Sequence, residues 1–515
     1  MKAKILILLL ALAGMLPLEV RAQVAYTTNG TAISITGTGA IADGEFESDQ
    51  TITSVTIGTN VTSIGNSAFE YCDGLTNVTI GNAVANIGNY AFESCVRLKR
   101  VTIPNSVTNI GNGAFVCYNL TNIAVDAVNP YYSSTNGVLF DKAQITLIQY
   151  PAGLTNSSYV IPNSVTNIGN SAFEYCASLN SVVIPNSVTN IGYSVFLDCT
   201  SLKSVAIPNS VISIGVEAFQ GCTSLTNVMI GNSVTGIENG AFIGCTSLMN
   251  VIVPSSVTFI GGLVFSSSLT NIAVDAANPV YSSVNGVLFN KAQTAVIEFP
   301  PGLGGSYTIP NSVTGIGVGA FYGCSKLSSV IIPNGVISIG YEVCIGCTSL
   351  TNVAIGNGVT SIGVLAFCDC GLMSVTIPNS VTNIGDEAFE SCTSLTNITF
   401  MGNAPELADA NEFADDSVAA NAVYYYCGMS GWGTTYGGLP TVELAWTPQI
   451  VGGAKVQSSN FSFSVIGTNG MPAIVEASTN LVDWQPVWTN ILSGASATFT
   501  DSQWTNYPAR FYRAR

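Results

Sequence analysis

Fourteen cysteines are the side chains of this 515-residue sequence best suited to chemistry. Cys344 and Cys347, followed by Cys368 and Cys370, superficially resemble the thiolate spacing of a four-cysteine zinc site. Cys347 and Cys370, however, belong to a series of ten cysteines that fill one position of a repeated motif, and small buried thiols are ordinary core residues. We therefore predict a reduced, structural row, with disulfides between neighbouring repeats as the alternative in an exported protein. The series is Cys72, Cys95, Cys176, Cys199, Cys222, Cys245, Cys324, Cys347, Cys370 and Cys392, and Cys117, Cys344, Cys368 and Cys427 lie outside it.

The other residue types offer little for catalysis. The sequence contains no histidine, which excludes Ser-His triads, acid catalysis by histidine and His-metal sites. A carboxylate-pair glycosidase would need two opposed acidic side chains, and no such pair stands out from the repeats. We therefore predict no enzyme activity and no cofactor. An acidic stretch lacks the spacing of an EF-hand and is expected to be a solvated loop; it contains Glu406, Asp409, Glu412, Asp415 and Asp416.

The composition narrows the class of partner. The formal net charge is −16 and only 9% of the residues are charged, which argues against nucleic acid because phosphate binding needs concentrated Lys and Arg. A hydrophobic content of 47% argues against disorder. The sequence therefore predicts a folded protein with a polar, weakly charged surface.

A 23-residue motif recurs along most of the chain and must position any functional side chain. In the copy L-x-x-V-x-I-P-x-x-V-x-x-I-G-x-x-x-F-x-x-C, alternation turns Val182 and Ile184 inward from a short strand that Pro185 ends. The A-F-x-x-C segment of the motif is interpreted as a short helical turn on the far side. The aligned anchors are Phe69, Phe92, Phe115, Phe173, Phe196, Phe219, Phe242, Phe265, Phe321, Cys344 (in the Phe position), Phe367 and Phe389.

One repeat alone is not expected to fold. About seven buried apolar groups at roughly 2 kcal/mol each cannot offset an ordering cost of roughly 1 to 2 kcal/mol for every residue. Stacking gives each strand two hydrogen-bonded neighbours and covers each apolar layer with the next. The expected fold is therefore a solenoid in which the anchor phenylalanines lie in a file.

The motif P-x-S-V-T-x-I-G-x-x-A-F-x-x-C resembles the BspA-like leucine-rich repeats of secreted and surface proteins of bacteria and some protists. The resemblance covers residues 53–402. It implies a leucine-rich repeat solenoid with parallel strands on one face and short helical turns on the other, and a strand face that contacts macromolecular partners. It implies no catalytic residue.

Two interruptions of the motif are copies of each other. The stretch that begins at Asp126 matches the one that begins at Asp275, and each continues through a polar turn into a further strand. We interpret them as enlarged coils with a hairpin, near residues 120–162 and 270–310. Each is either a tolerated structural variant or a binding protrusion.

The two ends of the chain differ from the repeats. Residues 1–22 resemble a signal peptide with cleavage after about Ala22, which predicts a secreted or cell-surface protein, and the mature chain contains no membrane span. Residues 23–52 are predicted to be an N-terminal cap and residues 403–442 a C-terminal cap or linker. Residues 443–515 are predicted to be a small all-β, sandwich-like domain, which resembles a C-terminal module of exported proteins from Verrucomicrobia-type bacteria.

The outward positions of the repeat strands are the predicted binding surface. They are rich in Thr and Asn, and the few basic residues among them would orient an acidic partner. We predict an adhesin-like scaffold for a protein or a cell-surface glycan. One alternative is a passive spacer whose C-terminal domain provides attachment, with the Thr and Asn rows merely supporting strand pairing. The candidate residues are Thr76, Asn77, Thr79, Lys99, Arg100, Thr102, Lys203, Thr226, Asn227, Thr351 and Asn352.

Overall fold

The chain forms two units, residues 1–225 and 226–515. The computed structural model describes residues 24–408, 412–413, 418–426, 429–444, 449–457, 460–467, 472–492, 496–507 and 509–514. The predicted signal peptide, residues 1–22, and Cys427 therefore lie outside the described residues.

The first unit contains short strands, which the alternation of the repeats predicts. They are β1 (Ala25–Asn29), β2 (Ala32–Thr36), β3 (Gly39–Ile41), β4 (Ser54–Ile57), β5 (Val61–Ile64), β6 (Asn77–Thr79), β7 (Asn86–Ile87), β8 (Arg100–Ile103), β9 (Asn109–Ile110), β10 (Asn122–Val125), β11 (Tyr132–Thr135), β12 (Val138–Asp141), β13 (Thr146–Gln149), β14 (Ser158–Val160), β15 (Asn167–Ile168), β16 (Ser181–Val183), β17 (Asn190–Ile191), β18 (Ser204–Ala206) and β19 (Ser213–Ile214).

The second unit continues the same kinds of strand and adds longer ones at its end. They are β20 (Asn227–Met229), β21 (Gly236–Ile237), β22 (Asn250–Val253), β23 (Phe259–Ile260), β24 (Asn271–Val274), β25 (Tyr281–Val284), β26 (Val287–Asn290), β27 (Ala295–Glu298), β28 (Gly305–Thr308), β29 (Gly315–Ile316), β30 (Leu327–Ile331), β31 (Ser338–Ile339), β32 (Asn352–Ala354), β33 (Ser361–Ile362), β34 (Ser374–Ile377), β35 (Asn383–Ile384), β36 (Asn397–Phe400), β37 (Glu406–Leu407), β38 (Val423–Tyr426), β39 (Thr435–Tyr436), β40 (Leu439–Leu444), β41 (Gln449–Gln457), β42 (Asn460–Ile466), β43 (Pro472–Ser478), β44 (Gln485–Ile491), β45 (Ser496–Asp501) and β46 (Phe511–Ala514).

Each regular coil contributes one strand to each of two rows. The first-strand row contains β4, β6, β8, β10, β14, β16 and β18 in the first unit and β20, β22, β24, β28, β30, β32, β34 and β36 in the second. The row is divided into several sheets, and neighbours within each of these sheets pair in parallel, as in Val55↔Val78 and Val353↔Val375. The second-strand row is equally parallel, as in Ile64↔Ile87 and Ile339↔Ile362. The predicted solenoid of parallel strands is therefore confirmed in each unit.

The segment predicted to be a helical turn is a set of stacked hydrogen-bonded turns. In the first regular repeat the amides of Ser67, Phe69 and Tyr71 donate to carbonyls of the next coil at 2.8 to 2.9 Å, whereas Glu70 and Cys72 donate within their own coil. Ser67 and Tyr71 have φ values of 51° and 56°, which a right-handed helix does not contain. An α-helix cannot form there, because alternate amides donate to carbonyls of the neighbouring coil and not to carbonyls of their own segment. Among the described residues the one helix is a 3-10 turn, Trp504–Asn506.

The anchor phenylalanines form the predicted file. Phe173, Phe196 and Phe219 stack with ring centroids 5.0 and 5.1 Å apart, and all three are fully buried. In the second unit Phe367 and Phe389 stack at 5.5 Å. This alignment confirms that, within each unit, successive coils bury equivalent side chains against one another.

Both enlarged coils contain an antiparallel hairpin that returns to the stack. β11 pairs with β12 and β12 with β13, and β13 then pairs in parallel with β15. β25, β26, β27 and β29 repeat this arrangement. Tyr150 and Phe299, which follow β13 and β27, stack on Phe173 and Phe321 at 5.2 Å, so each enlarged coil also supplies an aromatic ring to the file.

A buried asparagine fixes the start of each hairpin. Asn129 is fully buried; its amide nitrogen donates to the carbonyls of Pro104 and Val107 at 2.8 and 3.2 Å, and its oxygen accepts from the amides of Tyr131 and Tyr132. Asn278 makes the same four bonds in the second enlarged coil. Both donors and both oxygen lone pairs of each side-chain amide are thus used.

We expect Asn278→Asp to lower the free energy of unfolding by about 2 to 4 kcal/mol at pH 7, because a carboxylate would face two carbonyl oxygens without a proton to donate. Asn129→Asp should do the same in the first unit. Urea denaturation followed by circular dichroism measures both, with the exposed Asn105→Asp as control. Equal effects at Asn105 and Asn278 would contradict the role of the buried bonds.

The stack reaches beyond residues 53–402 at both ends. β2 pairs in parallel with β4, β3 with β5, and Phe46 stacks on Phe69 at 5.1 Å. At the other end β38 pairs with β36 and β40 with β38, again in parallel. Residues 32–52 thus form a first coil; beyond residue 402, β38 and β40 extend the first-strand row and β37 extends the second-strand row.

The last strands form two antiparallel sheets with a core of their own. β41, β42 and β45 form one sheet and β44, β43 and β46 the other. Phe463 and Phe499 from the first sheet and Val475 from the second belong to one buried cluster. Phe511 in β46 is 40% exposed and lies outside that cluster.

Candidate functional site

The outward positions of the first-strand row form the candidate surface. In β6, Asn77 and Thr79 are exposed on either side of the buried Val78, and the parallel register continues this alternation from coil to coil. All eleven candidate residues are exposed in the structure; they are Thr76, Asn77, Thr79, Lys99, Arg100, Thr102, Lys203, Thr226, Asn227, Thr351 and Asn352.

The structure distributes these residues along the row and does not gather them at one point. Thr76, Asn77 and Thr79 lie in the coil of β6, and Lys99, Arg100 and Thr102 in the coil of β8, where Arg100 is opposite Asn122 of β10. Lys203 precedes β18, and the coils of β10, β14 and β16 separate it from β8. In the second unit Asn227 begins β20 and Asn352 begins β32, and Thr226 and Thr351 immediately precede these strands.

Threonine hydroxyls at the start of these strands have a structural role. Thr76 Oγ1 donates to the carbonyl of Thr53 at 2.9 Å, and Thr351 Oγ1 donates to the carbonyl of Ser328 at 3.3 Å. Thr121 and Thr396 repeat this bond to the preceding coil. Within the described part of the chain the side chains of Asn77 and Asn352 make no hydrogen bond, so these amides are the more available groups for a partner.

The same surface carries exposed apolar side chains that the list of candidate residues leaves out. Val160 and Val183 are opposite one another in the first unit and are 66% and 55% exposed. In the second unit Met229, Met249 and Ile252 are all more than half exposed. An apolar residue between two inward ones, as in Val182-Val183-Ile184, is the sequence signal for such a position. Grouped exposed apolar side chains are typical of interaction surfaces.

The cysteines form a ladder of buried thiols. Cys199 Sγ donates to the carbonyl of Phe173 at 3.0 Å, and Cys370 Sγ donates to the carbonyl of Cys344, which occupies the Phe position, at 3.1 Å. The described cysteines are free thiols, and all but Cys368 are buried. Burial raises the pKa of Cys72 to about 12. In the described ranges no group of three or more Cys, Asp or Glu side chains could hold a metal ion.

Several carboxyl groups have a raised pKa because they are buried. Burial raises the pKa of Glu93 and of Glu174 to about 7, and the charge of Glu174 contributes at Glu93. Burial also raises the pKa of Glu298, the last residue of β27, to about 8. None of the three forms an ion pair within the described residues.

A search for helices of membrane-spanning length and apolarity found none among the described residues. This observation agrees with the short strands and turns that make up both units.

Comparison with known proteins places the repeats in a family. The family model described as the BspA type leucine rich repeat region matches residues 39–159, 152–272 and 305–417, which together are more than half of the chain. No curated protein matches the sequence.

Solved structures of leucine-rich repeat proteins are similar to this chain. A leucine rich cell surface protein from Faecalibacterium prausnitzii is 24% identical, with 81% of this chain and 96% of that chain covered and a TM-score of 0.46. The pneumococcal vaccine antigen PcpA is 18% identical, with coverages of 79% and 86% and a TM-score of 0.49. A leucine-rich repeat protein from Bacteroides ovatus is 24% identical, with coverages of 82% and 98% and a TM-score of 0.37. On the match to the family model, the chain belongs to the BspA type leucine-rich repeat family.

Proposed function

We propose that this protein is a non-enzymatic binding scaffold, secreted or displayed on the cell surface, that recognises a protein or a glycan through its first-strand row. The signal-peptide pattern of residues 1–22 supports export. One observation supports the binding role most: exposed polar and apolar side chains recur at equivalent outward positions on successive parallel strands. Such rows give many small contacts in register, which suits a macromolecular partner.

The basic pair Lys99 and Arg100 supports an acidic group on that partner. Both side chains are exposed at the start of β8, in a chain that has only 14 basic residues against 30 acidic ones. Opposite charge across an interface chiefly raises the association rate and makes it depend on salt. The pair would therefore orient the partner, and the Asn and apolar positions would contact it.

Binding of the secreted protein to a glycan array and to intact cell surfaces tests this proposal. We expect the double variant Lys99→Ala, Arg100→Ala to bind about tenfold more weakly and with less dependence on salt. Arg97→Ala is the matched control, because Arg97 is exposed in the same repeat but lies in the turn before the strand. Equal losses at Arg97 and at the basic pair would contradict the assignment of the strand face.

A passive spacer remains the competing proposal, and the threonine bonds to the preceding coil favour it. If the strand-face variants bind normally and deletion of residues 443–515 abolishes attachment to cells, the C-terminal domain provides the function. The opposite pattern supports the scaffold.

A further inference from the structure

A cavity of about 150 Å³ lies beside the second enlarged coil. Its walls include Leu263, Phe265, Phe299 and Tyr322. The turn beside it is shorter than in a regular repeat. Phe242 is followed six residues later by Leu248, the first leucine of the next repeat. Phe265 is followed by the equivalent leucine, Leu269, after only four residues. The cavity therefore lies beside a turn that lacks two residues.

Two buried polar side chains, those of Glu298 and Ser266, are part of the lining of this cavity. Glu298 is 9% exposed, and its carboxylate accepts a hydrogen bond from the backbone amide of Phe265. Ser266 is 2% exposed, and its hydroxyl has no hydrogen-bond partner among the described residues. Buried polar groups are nearly always satisfied, so an unpartnered hydroxyl beside a carboxyl group indicates that something else completes the site.

The first enlarged coil provides an internal comparison. Its residue equivalent to Glu298 is Gln149, whose side-chain amide donates to the carbonyls of Ser171 and Ala172 at 3.4 Å. The residue equivalent to Ser266 is Val116, which is fully buried and apolar. A cavity of about 200 Å³ also borders Gln149, but there the amide is bonded to backbone carbonyls and the position equivalent to Ser266 is apolar, whereas the second enlarged coil places a carboxyl group and an unpartnered hydroxyl in the lining of one cavity.

The charges around the cavity favour a cation. No Lys or Arg pairs with Glu298 in the described part of the chain, and the titratable groups near its carboxyl are the Cys324 thiol and the Tyr322 phenol, neither of which is a cation. Aromatic rings attract cations through their faces, and the net charge of −16 raises the local concentration of cations. An apolar cavity of about 150 Å³ can hold a molecule the size of benzene.

We propose that this cavity binds a small primary ammonium compound with a compact apolar body, its ammonium group held by the Glu298 carboxylate and the Ser266 hydroxyl. Gly323 also lines the cavity, and a Cβ placed there would meet no heavy atom within 4 Å, so a ligand can enter on this side. The site is separate from the first-strand row and does not depend on the proposed strand-face function.

The proposal is tested with tert-butylammonium chloride and its neutral counterpart of similar size, tert-butanol, by isothermal titration calorimetry on the whole secreted chain. We expect saturable one-to-one binding of the ammonium compound and at least tenfold weaker binding of the alcohol. Because the pKa of Glu298 is about 8, affinity should rise about tenfold from pH 6 to pH 7 and about fivefold from pH 7 to pH 8.

Variants complete the test. Glu298→Gln should weaken binding of tert-butylammonium at pH 8 at least tenfold and still fold, since Gln149 is the natural residue at the equivalent position. Ser266→Val should also abolish binding, with an unchanged or higher melting temperature because the added methyl groups fill the cavity. The exposed Glu406→Gln should leave binding unchanged. Equal binding of tert-butanol, or undiminished binding by Glu298→Gln, would overturn the proposal.

Discussion

Replacing Phe196 with alanine is expected to lower the free energy of unfolding by about 3 to 5 kcal/mol. The ring is fully buried and lies 5.0 Å from that of Phe173 and 5.1 Å from that of Phe219. Its removal leaves a cavity that borders three coils, and the turn backbone cannot collapse into it because alternate amides, including that of Phe196 itself, are bonded to the next coil. The loss of stability therefore includes both the lost free energy of transferring the ring from water and the cost of the empty cavity.

Urea denaturation monitored by circular dichroism measures this effect. Phe259→Ala is the control, because that side chain is 48% exposed and its removal should cost less than about 1 kcal/mol. Cys344 shows that a smaller side chain can occupy the Phe position while the thiol bond from Cys370 persists, so the Phe196 variant should retain the fold. If the two phenylalanine variants lost the same free energy, the file of rings would not be the core.

Glu298→Gln is expected to stabilise the protein at alkaline pH. Burial raises the pKa of this carboxyl group to about 8 from an ordinary value near 4.5. Between these two values the folded state holds a proton that the unfolded state has released, so the native state loses stability as pH rises from 4.5 to 8. The total loss amounts to about 5 kcal/mol at pH 9, because one pKa unit corresponds to about 1.4 kcal/mol.

Denaturation curves at pH 4, 6, 8 and 9 test this prediction. The variant should match the original protein at pH 4 and exceed it increasingly up to pH 9. Burial also raises the pKa of Glu93, Glu174 and Glu412 to about 7. These groups make the free energy of unfolding fall between pH 4.5 and 7 equally in both proteins. The difference between the two free-energy curves therefore isolates Glu298. Gln149→Glu should introduce a loss of the same sign in the first enlarged coil. A difference that does not depend on pH would contradict the buried position of this carboxyl.

The repeat pattern predicted the fold well because each coil repeats the same environment. Val182 and Ile184 are buried and Val183 is exposed, as the alternation requires. The fixed step of 23 residues places each anchor against its equivalent, and the file of rings follows from that register. The turn segment was less predictable, because Phe69 and its neighbours use alternate amides for the next coil, and a sequence pattern does not reveal which carbonyl an amide meets.

The candidate surface was predicted only as a set of outward positions. The structure confirms that Asn77, Arg100 and Asn352 are exposed, and within the first unit it places Asn77 in β6 and Arg100 in β8, the strand of the next coil. Thr76 was expected to be available, and its hydroxyl instead donates to the preceding coil.

By itself the sequence determined the 23-residue period of the repeats, their inward and outward faces, the cysteine row and the aromatic core. These features were predictable because each side chain packs against the equivalent side chain of the next repeat. Only the tertiary structure decided that Glu298 and an unpartnered Ser266 hydroxyl line one cavity, whereas the amide of Gln149, which lines another, is bonded to backbone carbonyls and Val116 is buried and apolar. Glu298 and Ser266 are more than thirty positions apart in the sequence, and at such positions burial rather than the local pattern sets the chemistry of a side chain.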